Sequence, residues 1–142
     1  MREIKFRGKS IKDGKWYYGY FLVNSFGEYT ICGKDFAVQV IPETVGQFTG
    51  LLAKDKEIYS GDIIRVWTWV NEDEPETNDY KDYKVYWDDE YTAFMIDWEY
   101  DDVDEHSLGV AISFWDNDRD LAVDWQIIGN IYENEELLEA VK

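Results

Sequence analysis

Acidic side chains supply most of the groups in this chain that could take part in chemistry. The 142 residues include 31 Asp and Glu against 14 Lys and Arg, with one His and one Cys. Paired carboxylates hydrolyse glycosides or hold the metal ions of nucleases. With so many acids, however, a suitable pair arises by chance and has little diagnostic value. The sequence contains no GxGxxG, P-loop or GxSxG segment. We therefore predict that the protein is not an enzyme and has no catalytic residue and no cofactor.

His106 is the only histidine and the obvious candidate for a general base. It stands in an acidic stretch, between Asp104 and Glu105 on one side and Ser107 on the other. A catalytic triad needs a base that is directed at a nucleophile and oriented by a third group, and adjacency in sequence does not supply that geometry. We predict a histidine in a surface loop.

The ligand types disfavour a metal site. One Cys and one His cannot furnish the nitrogen and sulfur ligands of a zinc centre. Residues 116–120 space their carboxylates like the start of a calcium-binding loop. Leu121 and Ile127, however, occupy the positions that require a glycine and a bidentate acid. We predict a solvated turn and no metal, with weak binding of a divalent ion as the alternative.

Charge is divided unevenly along the chain. Residues 1–66 hold 10 Lys and Arg against 8 Asp and Glu, whereas residues 67–142 hold 4 against 23. This split indicates two subdomains with different roles, or one domain with a polarised surface. A net charge of −19 in the second part repels nucleic acid and anionic membranes and attracts basic partners. Solubility is the alternative explanation.

A period-two pattern from Tyr91 to Asp101 predicts an acidic, aromatic-backed strand face. Phe94, Ile96 and Trp98 would point inward, while Met95 and the acids of the alternate positions would point outward. Carboxylates two residues apart on a strand are about 6.6–6.8 Å apart, which resembles the spacing of phosphates. Such a face suits a protein partner, including one with a nucleic-acid groove. The predicted partner-binding residues are Asp97, Glu99, Asp101, Asp102, Asp104 and Glu105.

The N-terminal 20 residues support an alternative, a nucleic-acid-binding patch. Six cations against two acids are interleaved there with aromatic residues. Basic residues beside stacking aromatics on a small β platform suit single-stranded nucleic acid. The competing interpretation is that the aromatics form core and the lysines line an outer strand face. The residues of this patch are Arg2, Lys5, Arg7, Lys9, Lys12, Lys15, Trp16 and Tyr18.

The two ends of the chain also predict self-association. The basic N-terminal strand of one subunit would dock on the acidic surface of another, in a head-to-tail contact. Aromatic residues make up 18% of the chain, and aromatic residues are enriched at interfaces. We therefore expect a homo-oligomer whose assembly depends on salt.

Strand patterns dominate the chain and predict a mainly β fold. Short alternating segments separated by turns are typical of small barrel-like or sandwich subdomains. We expect an N-terminal β subdomain over residues 1–48 and an acidic C-terminal one over 49–142, or one continuous domain. Pro42 should end a strand or mark an edge, and Asp62–Val70 reads as a buried strand. Residues 134–142 predict a short helix capped by Asn134.

The sequence indicates a cytoplasmic protein. Arg2, Glu3, Lys5 and Arg7 stand where a signal peptide has an apolar run. No window approaches the roughly 18 apolar residues of a membrane span. Cys32 has no partner for an internal disulfide, which fits a reducing compartment.

Segments at both ends of the chain resemble the YopX-like family of phage and prophage proteins. The similarity rests on residues 1–9 (MREIKFRGK), 14–20 (GKWYYGY), 41–66 and 127–138 (IIGNIYENEELL). The chain departs at Ala53–Lys56, where relatives usually carry a turn of the Asn-Gly type. The resemblance implies a phage-borne accessory protein of mostly β structure, without an assigned activity or known catalytic residues.

Overall fold

The computed structural model describes residues 3–69, 72–77, 79–97, 106–107 and 125–139. The chain divides into two compact units. Unit 1 runs to Leu51 and includes Glu57–Ser60, and unit 2 comprises Leu52–Lys56 and the chain from Gly61 onward. The predicted mainly β fold with a short C-terminal helix is confirmed.

Unit 1 is built on a six-stranded sheet in the order β4-β3-β2-β1-β5-β6. Short turns join successive strands because the alternating segments are separated by residues that favour turns, such as Asp13-Gly14 and Asn24–Gly27. β4 lies at an edge of the sheet and ends before Pro42, as predicted. The strands are β1 (Phe6–Lys9), β2 (Trp16–Val23), β3 (Tyr29–Cys32), β4 (Ala37–Gln39), β5 (Gly46–Ala53) and β6 (Lys56–Tyr59).

A bridge between Ser10 and Val40 joins the end of β1 to the end of β4. Hydrogen bonds from Ile41 N to Lys9 O (2.8 Å) and from Ile11 N to Gln39 O (3.1 Å) flank it. At this end, the strands β1 to β4 therefore close in a small barrel-like arrangement, although β4 remains an edge strand over Ala37–Gln39. Val40 is fully buried and packs tightly on Gly8. A Cβ added to Gly8 would lie 2.9 Å from the Val40 side chain.

The turn between β5 and β6 has an unfavourable backbone. Lys54 and Asp55 have φ angles of 47° and 68°, which gives a two-residue turn with two left-handed residues, as in type I′. Glycine or asparagine normally occupies such positions because a Cβ is strained there. The chain thus keeps the turn geometry of an Asn-Gly sequence without either residue.

Unit 2 contains two three-stranded sheets, β12-β7-β8 and β11-β10-β9. β7 is central in the first, and its residues Ile63, Ile64 and Val66 are fully buried, as its apolar sequence predicts. Short 3₁₀ turns occur at Pro42–Thr44 in unit 1 and Pro75–Thr77 in unit 2. The elements are β7 (Asp62–Trp69), β8 (Asp79–Lys84), β9 (Tyr86–Asp88), β10 (Ala93–Ile96), β11 (His106–Ser107), β12 (Trp125–Asn130) and α1 (Glu135–Glu139).

Asn130 organises the passage from β12 into α1. Its Oδ1 accepts hydrogen bonds from the backbone N–H of Tyr132 (3.0 Å) and of Glu133 (2.9 Å). Asn134 precedes the helix as predicted, but its side-chain oxygen accepts from the Asn130 N–H (3.2 Å), and its main-chain oxygen accepts from Leu137 N. The chain therefore turns from strand to helix around two reciprocal asparagines.

The alternation expected from Tyr91 to Asp101 does not hold over residues 91–97, the part of this segment that the structure describes. The strand β10 ends at Ile96, and Met95, predicted to face outward, is only 3% exposed. Met95 pairs with Tyr86 on β9 and with Ser107 on β11, so β10 is a central strand and is covered on both faces. The backbone of His106 belongs to β11 rather than to the predicted loop.

Candidate binding surfaces

The central residues of the predicted nucleic-acid patch share one face of the six-stranded sheet. Arg7 pairs with Tyr18, and Lys9 pairs with Trp16, across the antiparallel β1–β2 ladder. Opposed residues point to the same side of a sheet, so these four side chains form one surface. Lys12 and Lys15 lie in the exposed turn that joins the two strands, and Arg2 lies outside the described residues.

The sheet encloses Arg7 instead of presenting it to solvent. The residue is 6% exposed, and its guanidinium carbon lies 4.8 Å from the ring centre of Trp16 and 5.0 Å from that of Tyr59. Such cation–π contacts strengthen when water is excluded. Burial, followed by the nearby Glu57 carboxylate, raises the pKa of Tyr59. Arg7 therefore acts as a packing element between two rings.

Lys5 is engaged by carboxylates of its own unit. Its Nζ lies 2.5 Å from Oε2 of Glu57 and 3.5 Å from Oε1 of Glu3. The hydrogen bond to Glu57 is the main cause of a raised pKa for Lys5. The ammonium also lies 5.5 Å from the ring centre of Phe48. A phosphate at this position would have to compete with an existing ion pair.

Asp13 structures the turn that carries Lys12 and Lys15. Its Oδ2 accepts a hydrogen bond from the Tyr17 hydroxyl (2.7 Å), and its Oδ1 accepts one from the Lys15 N–H (2.9 Å). These bonds favour the carboxylate, so the pKa of Asp13 is lowered, first by Tyr17, and that of Tyr17 is raised. The turn is therefore an ordered platform for its two exposed lysines.

A row of uncovered side chains on β2 continues the same face. Tyr18, Tyr20 and Leu22 are 48%, 73% and 43% exposed, and we call these three residues the open face. Tyr20 and Leu22 pair with Cys32 and Thr30 on β3. The predicted patch residues included only Tyr18 of the three; Tyr20 was counted among the interleaved aromatics, and Leu22 was not considered. The period-two series from Trp16 to Leu22 is the signal that identifies them.

The turn between β9 and β10 presents two further aromatic side chains. Trp87 and Tyr91 are 45% and 59% exposed on either side of three consecutive acids, and we call residues 87–91 the acidic tip. Asp88 Oδ1 accepts hydrogen bonds from the N–H groups of Glu90 (2.8 Å) and Tyr91 (3.0 Å). Trp87 Nε1 donates to Asp89 (2.9 Å), and its ring packs on Phe94, 5.0 Å between centres.

A family model described as YopX protein matches residues 3–139. The chain belongs to the YopX family. No curated protein and no solved structure matches it. In this YopX chain, two of the segments that carry the resemblance meet in unit 2: Asp62 pairs with Asn130, and Ile131 N donates to Gly61 O (2.9 Å). Residues around Asn130 therefore form a structural junction between these two segments.

The predicted acidic face of the YopX chain is described at one residue. Asp97 is exposed and accepts a hydrogen bond from the Tyr86 hydroxyl (2.7 Å). Glu99, Asp101, Asp102, Asp104 and Glu105 lie outside the described residues.

Across the described parts of this YopX chain, no three His, Cys, Asp or Glu side chains are grouped as metal ligands would be. Residues 116–120, considered above for calcium, lie outside those parts. Within the same described ranges, no helix has the length and apolar character needed to cross a membrane.

Proposed function

We propose that this YopX-family chain acts without catalysis as a protein-interaction module, and that the open face is its principal contact surface. The observation that carries the proposal is the exposure of Tyr18, Tyr20 and Leu22 in one row on β2. Tyrosine is enriched at the centres of protein interfaces, from which charges are depleted. Contiguous exposed apolar side chains on a soluble domain mark such contacts.

Nucleic-acid binding is the second candidate. Tyr18 and Tyr20 offer rings on which bases stack, and Lys12 and Lys15 are exposed nearby. Lys5 and Arg7 oppose this function because both are committed to contacts inside the sheet. The net charge of −17 also repels a polyanion. Protein binding therefore agrees better with the geometry.

The acidic segment from Asp97 to Glu105 belongs to the proposal as an additional surface. Asp97 is exposed, and its neighbours in sequence add five carboxylates within residues 98–105. A basic host protein, or the basic part of another copy, is the partner that such charge attracts. A phage-encoded accessory factor acting in the cytoplasm of its host fits this role.

Two measurements test the proposal. Titration into labelled single- and double-stranded DNA and RNA over a salt series should give no tight binding. Tight binding that weakens steeply with salt would instead favour the second candidate, and the slope of affinity against salt concentration would give the number of phosphates contacted. A photo-crosslinking residue in place of Tyr20 should then capture protein in cells, whereas the same residue in place of Phe26, 86% exposed in the β2–β3 turn, should not. Equal capture from both positions would contradict the open face.

A further inference from the structure

We propose that the open face of one copy receives the acidic tip of a second copy. This inference depends on the proposed function in one respect, that the open face binds protein, and it adds the identity of the partner. The open face and the acidic tip are separate exposed aromatic surfaces on one chain, in units 1 and 2 respectively.

Both surfaces are held in shape before any contact forms. Asp88 fixes the backbone of the acidic tip with two hydrogen bonds, and the Trp87 ring is held by Phe94 and Asp89. The open face stands on a paired strand with neighbours on both sides. Association therefore requires little ordering of loops, which is a main cost of binding.

Charge selects unit 1 as the place where the acidic tip can dock. Unit 1 holds 7 Lys and Arg against 6 Asp and Glu, whereas unit 2 holds 7 against 25. The nearest cation in sequence is Lys84, three residues before Trp87, and no Lys or Arg follows until Arg119. Two exposed lysines of unit 1 lie near the strands of the open face in sequence: Lys15 directly precedes β2, and Lys34 is two residues after Cys32, the partner of Tyr20. Like charges facing each other suppress a contact, so the acidic tip disfavours unit 2 of another copy.

The contact joins two different surfaces and is therefore heterologous. Each copy can use its acidic tip toward one neighbour and its open face toward another, which gives chains of copies unless the rotation closes a ring. A contact between the two aromatic rings of the acidic tip and the three side chains of the open face would bury an area at or below the lower end for specific interfaces, about 1,200 Å². Association is accordingly expected to be weak and to depend strongly on protein concentration.

Sedimentation velocity of the full chain tests the contact. Concentrations from about 10 to 500 µM cover weak association, and about 0.15 M salt shortens the range of the overall repulsion to roughly 8 Å. The face variant is Tyr20→Thr with Leu22→Thr, and threonine keeps the strand propensity of the site. The tip variant is Glu90→Lys with Tyr91→Ser, which leaves Asp88 and Trp87 in place. Phe26→Ser is the matched control, because it removes an exposed aromatic residue outside both surfaces.

Wild type and Phe26→Ser should gain mass with concentration, and each of the two variants alone should associate at least tenfold more weakly. An equimolar mixture of the variants should form a one-to-one complex and nothing larger, because each retains only one working surface. The inference would be overturned if the wild type stayed monomeric at every concentration, or if Phe26→Ser weakened association as much as the two variants do. It would also be overturned if the mixture formed no complex although circular dichroism showed both variants to be folded. If a crosslinker at position 20 captured a different protein but never a second copy of this chain, the inference would also be wrong, whereas the proposed function would be supported.

Discussion

Arg65 and Asp82 form a two-point ion pair across β7 and β8. Nε of Arg65 lies 2.8 Å from Oδ1 of Asp82, and Nη2 lies 3.0 Å from Oδ2. The two residues are register partners, Asp82 is 7% exposed, and the guanidinium stacks 3.9 Å from the ring centre of Tyr80. The sequence predicted a buried strand from Asp62 to Val70 but did not indicate this ion pair.

Removal of the Asp82 carboxylate should destabilise the protein. Asp82→Asn leaves the guanidinium of Arg65 without its bidentate acceptor. Loss of one partner of a fully buried pair costs about 3–5 kcal/mol. The Arg65 side chain is 24% exposed, so water compensates in part and we expect about 2 kcal/mol. Urea unfolding measures the change. Glu90→Gln, on an exposed acid of the same unit, is the control, and equal effects of the two substitutions would contradict the role of the pair.

A glycine in the β5–β6 turn should stabilise the protein. Asp55→Gly removes a Cβ from a residue with φ of 68°, where left-handed geometry costs an L-residue about 1–2 kcal/mol. The greater freedom of glycine in the unfolded chain offsets part of this gain, so we expect a net increase of about 0.5–1 kcal/mol. Thermal unfolding provides the measurement. Asp35→Gly, in a turn where Asp35 is not among the residues with positive φ, should give no gain; a comparable gain there would show that strain at Asp55 is not the cause.

An added methyl group at Gly8 should disrupt the barrel-like part of unit 1. The new Cβ of Gly8→Ala would lie 2.9 Å from three carbons of Val40, and overpacking of this kind costs about 1–3 kcal/mol. Val40→Ala makes room for it, so the double variant should be more stable than the sum of the single effects predicts, by about 1 kcal/mol or more. Chemical unfolding of all four proteins in this cycle gives the coupling. Strict additivity would mean that the two side chains do not meet.

The hydroxyl of Tyr17 should control the titration of Asp13. In the folded protein the pKa of Asp13 lies below its ordinary value of 3.8. A carboxyl group whose pKa is lower in the folded than in the unfolded protein stabilises the fold at pH values above the unfolded-state pKa. This stabilisation is lost as the pH falls through the folded-state pKa. Tyr17→Phe should therefore raise the pKa of Asp13 toward 3.8. Carbon-detected NMR of the carboxyl group follows this titration. Lys12→Ala, in the same turn, should leave it unchanged; no shift in Tyr17→Phe would exclude the hydrogen bond.

Local patterns were sufficient to predict much of the fold. The buried strand from Asp62 follows from a largely apolar run that begins after a turn. The helix near the C-terminus follows from its acidic first turn after Asn134. The error at Met95 has a physical reason: alternation predicts one buried face, whereas a strand paired on both sides and covered on both faces hides every side chain.

The candidate surfaces were harder to predict because their character depends on distant partners. Lys5 is neutralised by Glu57, which is 52 positions later in the sequence. Arg7 is enclosed by Tyr59, which lies on the far side of β5. Periodicity indicates which side chains share a face but not whether another strand covers that face. Tyr20 and Leu22 show the opposite outcome, because their side chains are exposed. A period-two pattern alone does not distinguish an exposed row of side chains from a buried one.

The pairing of β7 with β12 constrains the order in which this chain acquires its structure during synthesis. Asp62 and Asn130, opposite each other in that ladder, are separated by 68 residues. Unit 2 therefore cannot complete the β12-β7-β8 sheet until residues 125–130 have left the ribosome, whereas β1 to β4 can come together once about 40 residues have emerged. A product that terminated before Trp125 would leave one edge of β7 unpaired, with Ile63, Ile64 and Val66 along it. Such an edge is a template for aggregation, so nascent or truncated chains are expected to need protection from chaperones that the finished protein does not.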